Sequence, residues 1–180
     1  MYQIHSATFD TGVLDNTDVL SRLHEIKKEH NVIIGLTTTG SNQNEVLEKA
    51  LAVEVGNERL FQSFQCTFNI LDQSIFKYAE VLQNSAGPLI IKEALANGRL
   101  IPNMAYTKNS PLYDYIMKLA RSYDVGADAI ALRYCMDKFP DAKVLSGANN
   151  GIHLRANLRA DEFSLKQDEL EQLDTFGVSA

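Results

Sequence analysis

Short apolar runs start near residues 2, 32, 61 and 89, and a longer segment of helical spacing follows each of them. A repeat of about thirty residues is the length of one βα unit. The runs are Tyr2–Thr8, Val32–Thr37, Phe61–Thr67 and Leu89–Lys92, with a fifth at Lys143–Ser146. Three of them are apolar stretches that do not alternate with polar residues, the pattern of strands covered on both faces in a parallel sheet. Units of this kind build either a (βα) barrel or a doubly wound sheet, with right-handed crossovers.

The segments between the runs carry one apolar face each. Val19, Leu20, Leu23 and Ile26 line the first, with Asn16, Thr17 or Asp18 as its N-cap. Val46, Leu47, Ala50 and Leu51 line the second, which Ser41 opens; Ile75, Tyr78, Ala79 and Leu82 line the third, which Gly87-Pro88 stops. The fourth gap holds two patterns. One runs through Leu112, Ile116, Leu119 and Ala120, the other through Ala127, Ile130, Ala131, Tyr134 and Cys135 until Pro140 ends it. A capped segment from Asn150 to Leu158 and a last helix from about Lys166 to Phe176 follow. No Pro/Gly/Ser-rich linker interrupts the pattern, so residues 1–180 are expected to form a single domain.

Charge and cysteine usage narrow the partners. With 17 basic and 23 acidic residues the net charge is −6. Binding a nucleic-acid backbone needs a basic face, so none is expected as a partner. No apolar run approaches the ~20 residues that span a bilayer, and the first residues have neither the basic nor the apolar region of a secretory leader. Cys66 and Cys135 make neither a disulfide framework nor a zinc cluster, which suits a reducing compartment and predicts a cytoplasmic protein. A complete eight-unit barrel takes ~250 residues. Only about five strands are readable here, and the open edges of such a sheet favour self-association.

Six stretches, YQIHSAT, GLTTTGSNQ, FQCTFNILDQS, KEALANGRL, GADAIALRYCMDKFP and SGANNGIHLRANL, follow one another at barrel spacing. Together they resemble the C-terminal portion of the aldo-keto reductase family, from Tyr2 to about Leu173. The resemblance implies an α/β fold, a partial (β/α)8 TIM barrel of roughly the C-terminal five βα units, entered at the fourth barrel strand. It also implies an oxidoreductase using NADP, with NAD as the alternative, that transfers hydride between NAD(P)H and a small aldehyde or ketone. By the same resemblance the family's catalytic Asp, Tyr and Lys lie on the first three strands, which have no counterpart in this sequence. Only His5 matches the catalytic set.

His5 closes the first run, at the strand end where barrel active sites lie. The resemblance makes it the donor that polarises the substrate carbonyl; a strand-capping histidine is the plain reading. His24 and His30 are expected on a solvated helix. Thr37 and Thr38 stand where the family has Ser-Asn against the nicotinamide carboxamide; Thr37 keeps the hydroxyl, whereas Thr38 loses the amide. Gln65 is the strongest cofactor candidate, because a Gln within an apolar strand needs a partner, and the family holds the carboxamide there. Asn69 is expected to fix the loop that follows.

Lys92 replaces the family's ring-stacking aromatic. Either it offers an ammonium to the pyrophosphate or the ring, or it closes a half-buried ion pair with Glu93. Ser146, Gly147 and Ala148 form a turn before a helix, whose N-terminus can hold phosphate. His153 and Asn157 match positions on the adenine side, with a capped helix as the plain alternative. Cys66 and Cys135 are expected to be structural.

Three functions remain open on these residues. The first is an aldo-keto reductase, or a fragment of one, inactive alone for want of the Asp, Tyr and Lys. The second is a non-catalytic half-barrel that binds NADP(H) or a partner chain. The third, an unrelated barrel lyase or hydrolase with Glu93 or His5 as base, leaves the six ordered stretches without an explanation.

Overall fold

A computed structural model describes residues 1–101 and 110–177. In chain order the elements are β1 (Tyr2–Ala7), α1 (Thr17–His30), β2 (Ile34–Thr38), α2 (Gln43–Leu51), β3 (Glu54–Val55), β4 (Glu58–Arg59), β5 (Ser63–Thr67), α3 (Ala79–Gln83), β6 (Leu89–Lys92), α4 (Pro111–Ser122), α5 (Ala127–Lys138), β7 (Lys143–Val144), α6 (Gly151–Leu158) and α7 (Gln167–Asp174). They fall into two compact units, residues 1–67 with 75–90 and residues 68–74 with those from 91 onward. The fold is α/β with a parallel sheet.

In the first unit β1, β2 and β5 pair in parallel in that order. Gln3 stands opposite Gly35 and Ile4 opposite Leu36; Gly35, Leu36 and Thr37 then stand opposite Ser63, Phe64 and Gln65. Residues paired across a parallel ladder share a face, and neighbours along a strand alternate. Ile4, Leu36 and Phe64 therefore share one face. Gln3, Gly35, Thr37, Ser63 and Gln65 share the other. Every residue of β2 is buried, as its unalternating pattern requires. Gly35 is needed for this approach, because a Cβ there would come within 2.8 Å of the Ser63 carbonyl oxygen. The ladder between β1 and β2 slips after Ile4, and Ser6 adopts a left-handed φ of +54°.

Asn16 is the cap of α1, its side chain accepting the Val19 N–H at 3.1 Å, and Asn31 ends the helix with φ +50°. His24 is buried, not solvated. It lies one helical turn from Leu20 on the same face as Leu23, and the short antiparallel ribbon of β3 and β4 covers that face. Its Nε2 stands 3.6 Å from Glu58 Oε1, and Gly56 packs against its ring. Lys27, donating to Glu58 at 3.0 Å, holds that carboxyl below the usual carboxylate range. Val19, expected inside, is exposed because the apolar face centres on Leu20 and Leu23.

Two strands begin later than their apolar runs: Val32 and Phe61 lead into β2 and β5 without joining them. In the second unit the fifth run shrinks to the two residues of β7, after which Leu145 N–H donates to Ile91 O at 2.9 Å. The third helical segment is a 3₁₀ turn, Ser74–Tyr78, leading into α3.

The second unit is organised around α5, which is buried nearly all round. Tyr134 stacks on Phe68 at 5.7 Å, and Phe139 meets Phe68 edge-on at 4.8 Å. Burial pushes the Cys135 thiol and the Tyr134 phenol well above their ordinary values, so both stay protonated. Cys135 Sγ donates to Phe68 O, a packing role. Asp174 fastens the last helix: it accepts from Tyr134 Oη at 2.7 Å and Lys138 Nζ at 2.8 Å. Arg133 bonds Asp137 at 2.6 Å, and the other Asp137 oxygen accepts Leu165 N–H at 2.8 Å. Among the described residues no helix is long and apolar enough to cross a membrane.

Candidate functional site

The first unit gathers a polar set at the C-terminal ends of β2 and β5. Thr37 and Gln65 are register partners and share a face. Gln3 Nε2 donates to Thr37 Oγ1 at 3.1 Å, which leaves the threonine hydroxyl proton available to a further acceptor. The Gln65 side chain is half-buried, and its amide makes no hydrogen bond to any described residue. It therefore keeps both an acceptor and a donor.

Thr38 does not belong to this set. It alternates to the opposite face and is fully buried. Its hydroxyl lies 3.3 Å from Gln43 Oε1 and 3.4 Å from the Gln65 carbonyl. Gln43 in turn accepts Thr67 N–H and donates to Thr67 O, so Thr38 and Gln43 tie α2 to the ends of β2 and β5. His5 is exposed on β1, with Nδ1 3.0 Å from Ser6 Oγ. When Ser6 donates to Nδ1, the ring proton sits on Nε2, and that nitrogen is the outward donor.

One sequence signal points to a further member of this set. Gln3 is two residues from His5 in β1, and polar residues at that interval share a strand face. Ser6 has no such signal, because its left-handed backbone follows from the slip in the ladder.

The second unit holds a cavity of about 510 Å³ lined by Lys92, Glu93, Leu95, Asn97, Ser146 and Gly147, among others. Lys92 Nζ stands 3.4 Å from Glu93 Oε1, so the ion pair forms. Asn97, which the sequence reading passed over, donates to the other Glu93 oxygen at 3.1 Å. Its signal was the Asn-Gly turn dipeptide. Asn69 fixes its loop as expected, accepting from Leu71 and Asp72 N–H and donating to Glu93 O at 3.0 Å. Gly147 faces open space where a Cβ would stand.

A smaller cavity of about 130 Å³ lies against Asp128, Gly147, Ala148, His153 and Asn157. His153 is exposed, with Nδ1 3.3 Å from the Asn150 amide. The N-terminus of α6 is closed by its own cap. Asn150 Oδ1 accepts both Ile152 and His153 N–H, at 3.0 and 2.9 Å, so those donors are not open to a phosphate.

Asn157 is buried and engaged on every side. With its amide oriented to satisfy both atoms, it accepts from Ser146 Oγ at 2.8 Å and donates to Asp128 Oδ2 at 2.9 Å and His153 O at 3.2 Å. These bonds pin the Ser146 turn to α5. Asp128, in the first turn of α5, completes that link and was missed as an ordinary helix-start acid.

The family model described as the aldo/keto reductase family matches residues 1–177. No curated protein matches the sequence. Among solved structures the chain is similar to the aldo-keto reductase AKR11C1 from Bacillus halodurans, at 23% identity and a TM-score of 0.71 over 99% of this chain and 62% of that one. It is similar to the thermostable aldo-keto reductase Tm1743 at 20% identity and a TM-score of 0.70, over 98% of this chain and 59% of that one. A third likeness, at 18% identity and a TM-score of 0.70, is to a point mutant of Gox0644 in complex with NADPH, over 98% of this chain and 58% of that one. The chain thus spans about three fifths of the length of these structures. At such identities the likeness concerns the fold.

Proposed function

The chain belongs to the aldo/keto reductase family, and from that premise we propose that it holds a nicotinamide dinucleotide, NADP(H) before NAD(H), for an oxidoreductase acting on a small aldehyde or ketone. The observation that carries the reading is the uncommitted Gln65 amide beside Thr37. A carboxamide needs one donor and one acceptor held in register, and these two side chains provide both. The NADPH complex of Gox0644 supports the class of cofactor. The proposed fold class is a partial (β/α)8 barrel.

The residues present fit that group in each unit. In the first, Thr37 and Gln65 orient the carboxamide, and His5 donates from Nε2 to the substrate oxygen, stabilising charge that develops there. In the second, Lys92 with Ser146, Gly147 and Ala148 holds phosphate, and His153 lies toward the adenosine. Thr38 and Asn157 support their neighbours and touch no ligand. When bound, the cofactor supplies or accepts the hydride.

The resemblance assigns protonation to a Tyr assisted by Lys and Asp, and none of the six stretches contains that set. The 180-residue polypeptide alone is therefore proposed to bind cofactor while turning over little or no carbonyl substrate. At a cofactor concentration about 100 times Kd, binding stabilises by about 2.7 kcal/mol. For a chain of this size that raises Tm by roughly 5–10 °C. The test is a thermal melt with NADPH and an assay of aromatic aldehyde reduction on the same preparation. A rise in Tm without turnover supports the reading. No rise at millimolar NADPH refutes it, and turnover at ordinary reductase rates refutes the inactivity.

A further inference from the structure

We propose that Glu93 sets the affinity of the second-unit cavity for anionic ligands by competing with them for the Lys92 ammonium. This deepens, and rests on, the reading of that cavity as a phosphate site. Both side chains line it. They are not held equally. One Glu93 oxygen accepts from Asn97 Nδ2 at 3.1 Å, and the Glu93 carbonyl accepts from Asn69 Nδ2 at 3.0 Å. These bonds hold two residues, Glu93 and Asn97, at left-handed φ values of +57° and +55°. Side chains other than glycine rarely sit there. The Glu93 backbone is therefore built into the wall, and its carboxylate, 35% exposed, is held there by the bond from Asn97.

Lys92 has one carboxylate within ion-pair range among the described residues, and that is Glu93. The distance, 3.4 Å, is longer than the 2.7–2.9 Å typical of a strong charge-assisted hydrogen bond. The Lys92 side chain is only 15% exposed, so its charge is largely withdrawn from water and Glu93 is its main compensation. A phosphate entering the cavity must take the ammonium from Glu93. The lysine stem is flexible and carries three donors, so it can turn from one to the other.

The experiment is a calorimetric titration of the full chain with inorganic pyrophosphate and, separately, with NADPH, at fixed ionic strength. The proteins are the wild type, Glu93→Gln, Lys92→Met and the double variant. Gln keeps the oxygen that accepts from Asn97, so the turn survives. Glu93→Gln is expected to tighten pyrophosphate binding roughly three- to ten-fold, the order of a partly exposed charge pair. In the Lys92→Met background the same change is expected to give less than two-fold. An equal gain in both backgrounds would mean bare repulsion by Glu93 and overturns the proposal, as does no gain or a loss in the single variant. If NADPH binds no variant while pyrophosphate shows the expected pattern, the dinucleotide reading falls and the competition stands. If NADPH binds but neither ligand senses Glu93, the competition falls and the reading stands. If neither probe binds any variant, both fall.

Discussion

Asn157→Ala separates a scaffold role from a ligand role. Asn157 is 5% exposed and makes three hydrogen bonds: from Ser146 Oγ, to His153 O, and to the Asp128 carboxylate. A neutral hydrogen bond contributes about 1 kcal/mol net, and one to a charged group about 1.5–3 kcal/mol. Asp128 is only half-buried and recovers water when its partner leaves, so the lower end applies to it. The sum is a loss of about 3.5 kcal/mol. For a chain of 180 residues this corresponds to a fall of roughly 7–14 °C in Tm. The chain has no tryptophan and seven tyrosines, so urea unfolding can be followed by tyrosine fluorescence and far-UV circular dichroism. Asn157→Asp sets a second carboxylate against Asp128, and at neutral pH it should cost at least as much. That extra cost should shrink as the pH falls and one carboxyl takes up a proton. A stability loss under about 0.5 kcal/mol together with a more than ten-fold loss of NADPH affinity would refute the argument, because the amide would then be serving the ligand.

Three further outcomes follow from the packing. Asp174→Ala leaves the buried Tyr134 hydroxyl without its acceptor and removes the Lys138 ion pair, so urea unfolding should show a loss of about 2–4 kcal/mol. Gly35→Ala brings a Cβ to 2.8 Å from Ser63 O, and a thermal melt should register overpacking of about 1–3 kcal/mol. Burial and the hydrogen bond to Glu169 push the Tyr123 phenol up to about 12. Its contribution is fully present below the unfolded value near 10 and is lost as the pH rises toward 12, so urea midpoints should fall across that window and fall less in Tyr123→Phe.

Sequence and structure agree where one periodic signal dominates. The unalternating IGLTT of β2 announced a strand covered on both faces, and α5 declared itself through its apolar positions. Contacts distant in sequence were not legible. The ribbon of β3 and β4 has two residues per strand, too few for a period, and it is what buries His24. Thr37 and Thr38 look interchangeable as letters. Strand alternation separates them, placing one beside Gln65 and the other against Gln43. Asn150 opens a capped helix as its position suggests, whereas Asn157, which reads as a residue on the adenine side, is engaged by Ser146 and Asp128. Lys92 and Glu93 are neighbours in sequence, so their pairing was readable; the Asn97 clamp was not, because it depends on a left-handed turn.

The most direct test is an isothermal titration of NADPH into the wild-type chain and into the variants Gln65→Ala and Thr37→Val. The predicted result is one saturable site per chain, weakened about 5–100-fold by Gln65→Ala, the loss of two hydrogen bonds to a carboxamide, and less by Thr37→Val. Wild-type binding that leaves Gln65→Ala unchanged, or no heat of binding in the wild type at millimolar NADPH, would contradict it.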